Sequence, residues 1–209
     1  MALPYVSLLA NNDEDLTSLT IRSKHLSSDT GLVEALQVNT TLTSLDISDC
    51  KFDPYFDYKI LASLYGHPSL TFTNIYFADN SPAFVVFGNV TAKLIQTCTE
   101  LQSLALGNMG VLDNNQAIGH ALRDNTTLTS LDLSLFESND AYLASLCRDL
   151  QFNTTLTHLG TAPMRYQGID GPYPHEGETS LHLTWLMDRN RHNKTMKEQT
   201  LPRLAWDKM

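Results

Sequence analysis

The word Asn125-Thr-Thr-Leu-Thr-Ser-Leu-Asp-Leu-Ser134 occurs again as Asn39-Thr-Thr-Leu-Thr-Ser-Leu-Asp-Ile-Ser48 and, eroded, as Asn153-Thr-Thr-Leu-Thr-His-Leu-Gly160. Three near-copies in a chain of 209 residues leave few architectures open. A repeated word builds a repeated unit, and a unit of this size buries its apolar face only by stacking on its neighbours.

Leu128, Leu131 and Leu133 occupy positions 1, 4 and 6 of an L-x-x-L-x-L frame. Over the whole chain, position 1 falls on Leu16, Leu42, Leu70, Leu101, Leu128 and Leu156, at spacings of 26, 28, 31, 27 and 28. Positions 4 and 6 are then Leu19/Ile21, Leu45/Ile47, Thr73/Ile75, Leu104/Leu106, Leu131/Leu133 and Leu159/Thr161, so the third and sixth copies are the weak ones. Alternation across a strand puts positions 4 and 6 on one face, and positions 3, 5 and 7 on the other. Strands are expected over 18–22, 44–48, 72–76, 103–107, 130–134 and 158–161.

Apolar residues stand three and seven places before the Asn slot: Leu36/Leu32 before Asn39, Leu122/Ile118 before Asn125, Leu150/Leu146 before Asn153. A spacing of four puts each pair on one helix face. His67 and Cys98 take the Asn slot in the third and fourth copies. Helices are expected over 30–38, 57–66, 83–98, 115–124 and 141–152. The same count before Leu16 gives Asp13 as the slot, with Ala10 and Val6 as apolar positions of a leading half-repeat, 1–15, that caps the stack. Repeat strands and helices occupy 16–161. At the far end Asn193-Lys-Thr-Met196 copies Asn-Thr-Thr-Leu, which predicts a cap over 178–209: a helix at 178–192 burying Leu181, Trp185 and Leu186, then a degenerate strand from Met196 to Leu201. The surplus residues form Ala162–Gly177, a long loop rich in Pro and Gly. The whole is expected to be one domain.

The frame, the period and the A-L-x-x-N-T-T-L junction resemble the ribonuclease-inhibitor type of leucine-rich repeat. That resemblance implies an α/β fold: a right-handed solenoid with a parallel sheet on its concave side and helices on its convex side. It departs from the type at position 9, usually Asn or Cys, which here reads Lys24, Cys50, Ala78, Met109, Phe136 and Met164. The ladder of loop hydrogen bonds made there is therefore expected to be mostly missing. Short leucine-rich-repeat effectors of intracellular bacteria carry similar words, which would place the protein in the cytoplasm, or in a host cytosol after translocation. Bacterial ubiquitin ligases with such repeats resemble it less, since their repeats are shorter and a separate catalytic domain follows.

A formal charge of −9 disfavours nucleic acid and anionic membrane surfaces, although the stretch from Leu186 onward carries an excess of +3 and reads as a solvated basic cap. No run of about 18 apolar residues is present, so no membrane span is expected. Met1–Tyr5 lacks the charged and apolar regions of a secretory signal. Cys50, Cys98 and Cys147 fall at core-like positions without C-x-x-C spacing, which suits reduced, buried thiols. Asn39, Asn125 and Asn153 head N-x-T sequons but share one repeat slot, so they read as turn residues and not as glycan sites.

Phosphate-loop, dinucleotide, zinc-protease and serine-hydrolase signatures are missing. Asp46 and Asp132 share position 5 but are three rungs, roughly 14 Å, apart, too far for one ion. No catalytic residue, metal or cofactor is assigned. What remains is a surface. The outward positions are mostly small and polar, except in the third copy, where Phe72 and Tyr76 stand as an aromatic pair, unless a register shift buries them. The expected function is non-enzymatic binding of another protein by a monomer. Phe72, Asn74 and Tyr76 would be its anchors, with Asp46, Asp132, Ser103, Ser130 and His158 beside them. Arg165, Tyr166, Tyr173 and His175 of the long loop would close over one side. The ribonuclease-inhibitor resemblance implies an enzyme as partner, inhibited by occlusion, and the acidic rungs imply a basic surface on it. The alternative is the substrate-recognition part of a ubiquitin-ligase-type enzyme.

Overall fold

In a computed structural model the described residues are 3–53, 55–77, 87–107, 116–133, 140–161 and 178–198. Six parallel strands follow the frame: β1 (Ser18–Arg22), β3 (Ser44–Phe52), β4 (Phe72–Phe77), β5 (Ser103–Gly107), β6 (Ser130–Leu133) and β7 (His158–Thr161). They are hydrogen-bonded in that order, and position 4 pairs with its counterpart throughout: Leu19 with Leu45, Leu45 with Thr73, Thr73 with Leu104, Leu104 with Leu131, Leu131 with Leu159; the β3–β4 register shifts only beyond Ile47, where Cys50 pairs with Phe77. A two-residue strand that the frame does not predict, β2 (His25–Leu26), pairs with Lys51 and Phe52, which is why β3 runs past the expected residue 48.

The helices are α1 (Val6–Ala10), α2 (Leu32–Val38), α3 (Phe56–Ser63), α4 (Phe87–Thr97), α5 (Ala117–Asp124), α6 (Asp140–Leu150) and α7 (Glu178–Glu198), each packed on the next. Between helices and sheet lies one apolar core. Leu45, Ile47, Leu104, Leu106, Leu131 and Leu133 enter it from the strands, and Leu32, Leu36, Ile118, Leu122, Leu146 and Leu150 from the helices. Thr73, the polar exception at position 4, is fully buried in the same row, and its hydroxyl finds no hydrogen-bond partner.

The polar letters of the word have equally definite work. Asn153 ends α6's turn: its Oδ1 accepts from the Leu156 and Thr155 N–H groups, and its Nδ2 donates back to the Leu122 and Asn125 carbonyls of the preceding repeat. Asn39 does the same between the Leu42 N–H and the Leu9 carbonyl, and Asn125 between the Leu128 N–H and the Ile95 carbonyl. Each amide thus closes its own turn and ties it to the previous one, satisfying helix-end carbonyls that have no partner within the helix. Asn39 and Asn153 are buried by this role. The Thr after position 1 builds a second ladder, its hydroxyl donating to the preceding rung in Thr43, Thr71, Thr129 and Thr157. Of the position-9 residues Lys24 and Cys50 lie among those described, and the Cys50 thiol donates to the Ile21 carbonyl. The repeat's side-chain ladder runs at the helix–strand junction.

Both ends differ from expectation. In α1 the buried residue is Leu9, while Ala10 is exposed and Val6 only partly covered. Asn12 bonds to Thr40 and holds a left-handed φ of 54°, so the turn before Leu16 is one residue longer than the count from Asp13 assumed. At the other end Asn193 and Met196 are helical, which excludes a strand beginning at Met196. Leu183, Leu186, Met187 and Asn190 form the buried stripe of α7, and Trp185 is 57% exposed. That phase is set by polar contacts: Asn190 donates to the Asn153 and Leu156 carbonyls and Arg189 to those of Leu150, Gln151 and Asn153. Arg189 is therefore a structural plug and not a solvated charge. The side chain of Leu181 and the loop 162–177 lie outside the described residues. No helix among the described residues is long and apolar enough to cross a membrane.

Candidate functional site

Register places the outward residues in straight rows across the sheet. Position 3 reads Ser18, Ser44, Phe72, Ser103, Ser130, His158, and position 5 reads Thr20, Asp46, Asn74, Ala105, Asp132, Gly160. Because Thr73 and Ile75 are fully buried, Phe72 and Tyr76 face outward, which settles the question of a register shift. Phe72 is 38% exposed, bordered by Ser44 and Ser103.

Tyr76 behaves otherwise. Its hydroxyl donates to Asp132 Oδ2 at 3.3 Å, two strands away, so its ring lies across β5. The small residues there, Ala105 and Gly107, leave room for Tyr76 itself and do not form an open trough. Burial, and then the neighbouring Asp132 carboxylate, push the Tyr76 phenol above its usual pKa. Gly160 supplies the space on the other side of Asp132, since a Cβ there would run into the carboxylate.

Asp46 is also engaged: Arg22 donates to its Oδ2 at 2.9 Å and Asn74 to its Oδ1 at 3.1 Å. Arg22, an exposed end of this network, did not stand out in sequence as a site residue. The Asn74 amide oxygen is buried beneath the face without a hydrogen-bond partner among the described residues. Ser103 and Ser130 are half-buried and His158 is exposed at the β7 edge. The structure thus brings together Asp46, Phe72, Asn74, Tyr76, Ser103, Ser130, Asp132 and His158 on one face. Arg165, Tyr166, Tyr173 and His175 lie outside the described residues.

The cysteines are buried and unpaired as disulfides. Burial raises all three thiols above the usual range, Cys147 to about 11. A thiol shifted upward is protonated at neutral pH, the opposite of an activated nucleophile. No cluster of metal-ligating residues occurs among the described residues.

No family model matches the sequence, and no curated protein matches it either. Solved structures do. Leiomodin-1 actin-binding site 2 aligns at a TM-score of 0.50 and 18% identity, over 95% of this chain and 96% of that one. The tropomodulin C-terminal domain from Caenorhabditis elegans aligns at a TM-score of 0.48 and 12% identity, over 94% and 96%. The likeness is one of fold. It agrees with the parallel sheet and repeat register described above, while the narrower resemblance to ribonuclease inhibitor and bacterial effectors has no sequence match behind it.

Proposed function

We propose that the chain is a non-catalytic protein-binding module whose outward sheet face, the concave side of a right-handed solenoid with its helices outside, carries the contact. The observation that supports this most is the juxtaposition of exposed Phe72 with a half-buried row of Ser103 and Ser130. An aromatic anchor beside small residues suits a partner's apolar side chain. Asp46 and Asp132 are already bridged by Arg22, Asn74 and Tyr76, so a partner's basic surface acts mainly by competing with Arg22. Leiomodin-1 shares the fold and is named for an actin-binding site, which makes actin the first defined protein to assay. The inhibitor and effector readings, and a cytoplasmic site of action, belong to this proposal. A ubiquitin-ligase-type recognition role would use the same face with an appended catalytic domain.

The test is a binding series against actin and against partners captured from cell extracts. Phe72→Ala is expected to cost about 2 kcal/mol of binding or more if it is a hot spot. Glu34→Ala, on exposed α2 surface, is the control and is expected to change nothing. Loss of binding in the Glu34 variant with full binding by the Phe72 variant would place the contact on the wrong side. Replacing Cys50, Cys98 and Cys147 together by Ala should lower stability and leave the biological effect intact. Loss of effect in a folded triple variant would revive an enzymatic reading.

A further inference from the structure

The last repeat carries exposed aromatic surface that the sheet face does not use. Phe152 and Trp185 are 59% and 57% exposed, each more open than Phe72. The Arg123 guanidinium lies over the Phe152 ring, 4.3 Å from its centroid, and that of Arg189 lies 5.7 Å from the Trp185 centroid. Arg189 also joins the two rings into one patch, because the carbonyls it holds, those of Gln151 and Asn153, are on either side of Phe152. Arg148 is exposed in the last turn of α6, four residues before Phe152.

None of Arg123, Arg148 and Arg189 is in an ion pair among the described residues, while Asp188 is taken by Arg191. Exposed Arg123 and Arg148, with Arg189 bracing Trp185, make this an arginine-bearing apolar spot bordered by exposed Asp124, on a chain of net charge −9. Its composition is local to this end. The residue before the Asn slot is Phe152 here but Asp124 in the preceding repeat and Thr97 in the one before. An arginine on a ring covers one ring face and holds its own outer N–H groups ready for a carboxylate, which can bind them in bidentate fashion. Exposed Trp and Phe flanked by Arg are the residue types that dominate binding energy at interfaces.

We propose that Phe152, Trp185, Arg123, Arg148 and Arg189 form a second docking surface, at the helix ends of the last repeat, for an acidic polypeptide segment bearing aromatic or branched aliphatic side chains. Carboxylates of the segment pair with Arg123 and Arg148, and its apolar side chains pack on the open halves of the rings. Arg189, whose N–H groups are engaged with the Leu150, Gln151 and Asn153 carbonyls and with Asn190 Oδ1, holds the Trp185 end of the patch in place and does not itself take a carboxylate.

The probe is a fluorescein-labelled synthetic peptide in which glutamates flank a leucine and a phenylalanine, compared with the same peptide carrying lysines in place of glutamates. Fluorescence anisotropy with the whole chain should show saturable, salt-sensitive binding of the acidic peptide and none of the basic one. Phe152→Ala and Trp185→Ala should each weaken it by about tenfold or more. Arg123→Gln should weaken it and flatten the salt dependence, and Phe72→Ala should leave it unchanged. All four positions are exposed, and circular dichroism and melting curves confirm that each variant is folded. Absence of binding by the acidic peptide, equal binding of the basic one, or binding indifferent to both Phe152→Ala and Trp185→Ala overturns the proposal. A loss produced by Phe72→Ala alone would move the site to the sheet face.

Discussion

The two ends of the repeat stack are closed with opposite chemistry. At the α1 end the chain presents acceptors: the Leu9 carbonyl takes Asn39, Asn12 Oδ1 takes the Thr40 N–H, and the Asp13 and Thr17 carbonyls take the Thr41 and Thr43 hydroxyls. One bond, Asn12 Nδ2 to the Val38 carbonyl, runs the other way. At the α7 end the chain presents donors, Arg189 and Asn190, aimed at the carbonyls of the last turn. The difference follows from the direction of the ladder. Every slot Asn donates backwards, so the first turn must offer carbonyls and the last turn leaves carbonyls over. A five-residue helix suffices for the first task, and the second needs a helix whose polar side chains reach in. A leucine-rich stack is polar along its axis, and its caps are not interchangeable.

The largest effect should come from the core that both ends share. Leu131, Leu9 and Leu186 are all fully buried. Leu131→Ala in mid-stack should cost about 2–5 kcal/mol, measured by urea unfolding. Leu9→Ala and Leu186→Ala should fall towards the lower end of that range, because an end turn can relax towards solvent. If Leu9→Ala costs more than Leu131→Ala, α1 is part of the central core and not a cap.

The ladder is next in size. Asn153→Ala strips donors from the Leu122 and Asn125 carbonyls and an acceptor from two N–H groups, all at a buried site, and should cost about 1–3 kcal/mol. Asn190→Ala takes the side-chain donor from the Leu156 carbonyl while the Asn153 carbonyl keeps Arg189, so its cost should be smaller and local. Hydrogen exchange should then show α7 protection falling while β3–β5 remain unchanged. Uniform loss of protection across the sheet would mean that α7 is integral to the stack.

How much of this the sequence carried depends on what fixed each feature. Strand positions and register were legible because the apolar letters of the frame have one physical role, so even Thr73 sits in its predicted row, buried at 0% exposure. The outward placement of Phe72 followed from the same alternation. The phase of α1 was misjudged because a positive-φ Asn12 adds a residue to the turn, and the count assumed equal turns. The phase of α7 was misjudged because apolar spacing suggested Trp185 while Arg189 and Asn190 decide which face turns inward. That Tyr76 would lie over Ala105 and Gly107 to reach Asp132 depends on three strands together, which no single repeat encodes. The Phe152 patch left one signal, a large aromatic in a slot where other repeats carry Val38, Gly66, Thr97 or Asp124.

The smallest effect sharpens the comparison most, because it tests the ladder's direction at a single titratable step. His67 fills the Asn slot of the third repeat and is buried. Its Nε2 is 3.3 Å from Asn39 Oδ1, and its Nδ1 accepts from the Ser69 N–H at 3.5 Å. A neutral ring with the proton on Nε2 therefore does what an Asn does, donating towards α1 and accepting from its own turn. A protonated ring has donors on both nitrogens and turns one of them against the Ser69 N–H. Burial accordingly lowers the His67 pKa below the usual 6.5. In the unfolded chain His67 binds its proton near 6.5, so below that pH the unfolded state holds more protons than the folded one. His67's contribution is whole above pH 6.5 and is lost as pH falls towards its folded pKa, with a slope of at most about 1.4 kcal/mol per pH unit. His67→Asn restores an amide with the same donor and acceptor and no proton to take up. Unfolding curves of both proteins between pH 7.5 and pH 5 should diverge, the variant gaining on the parent as pH drops, while the two stay parallel above about pH 7. Parallel curves throughout would show that the protonated ring finds another partner, and that the ladder tolerates a donor where its direction demands an acceptor.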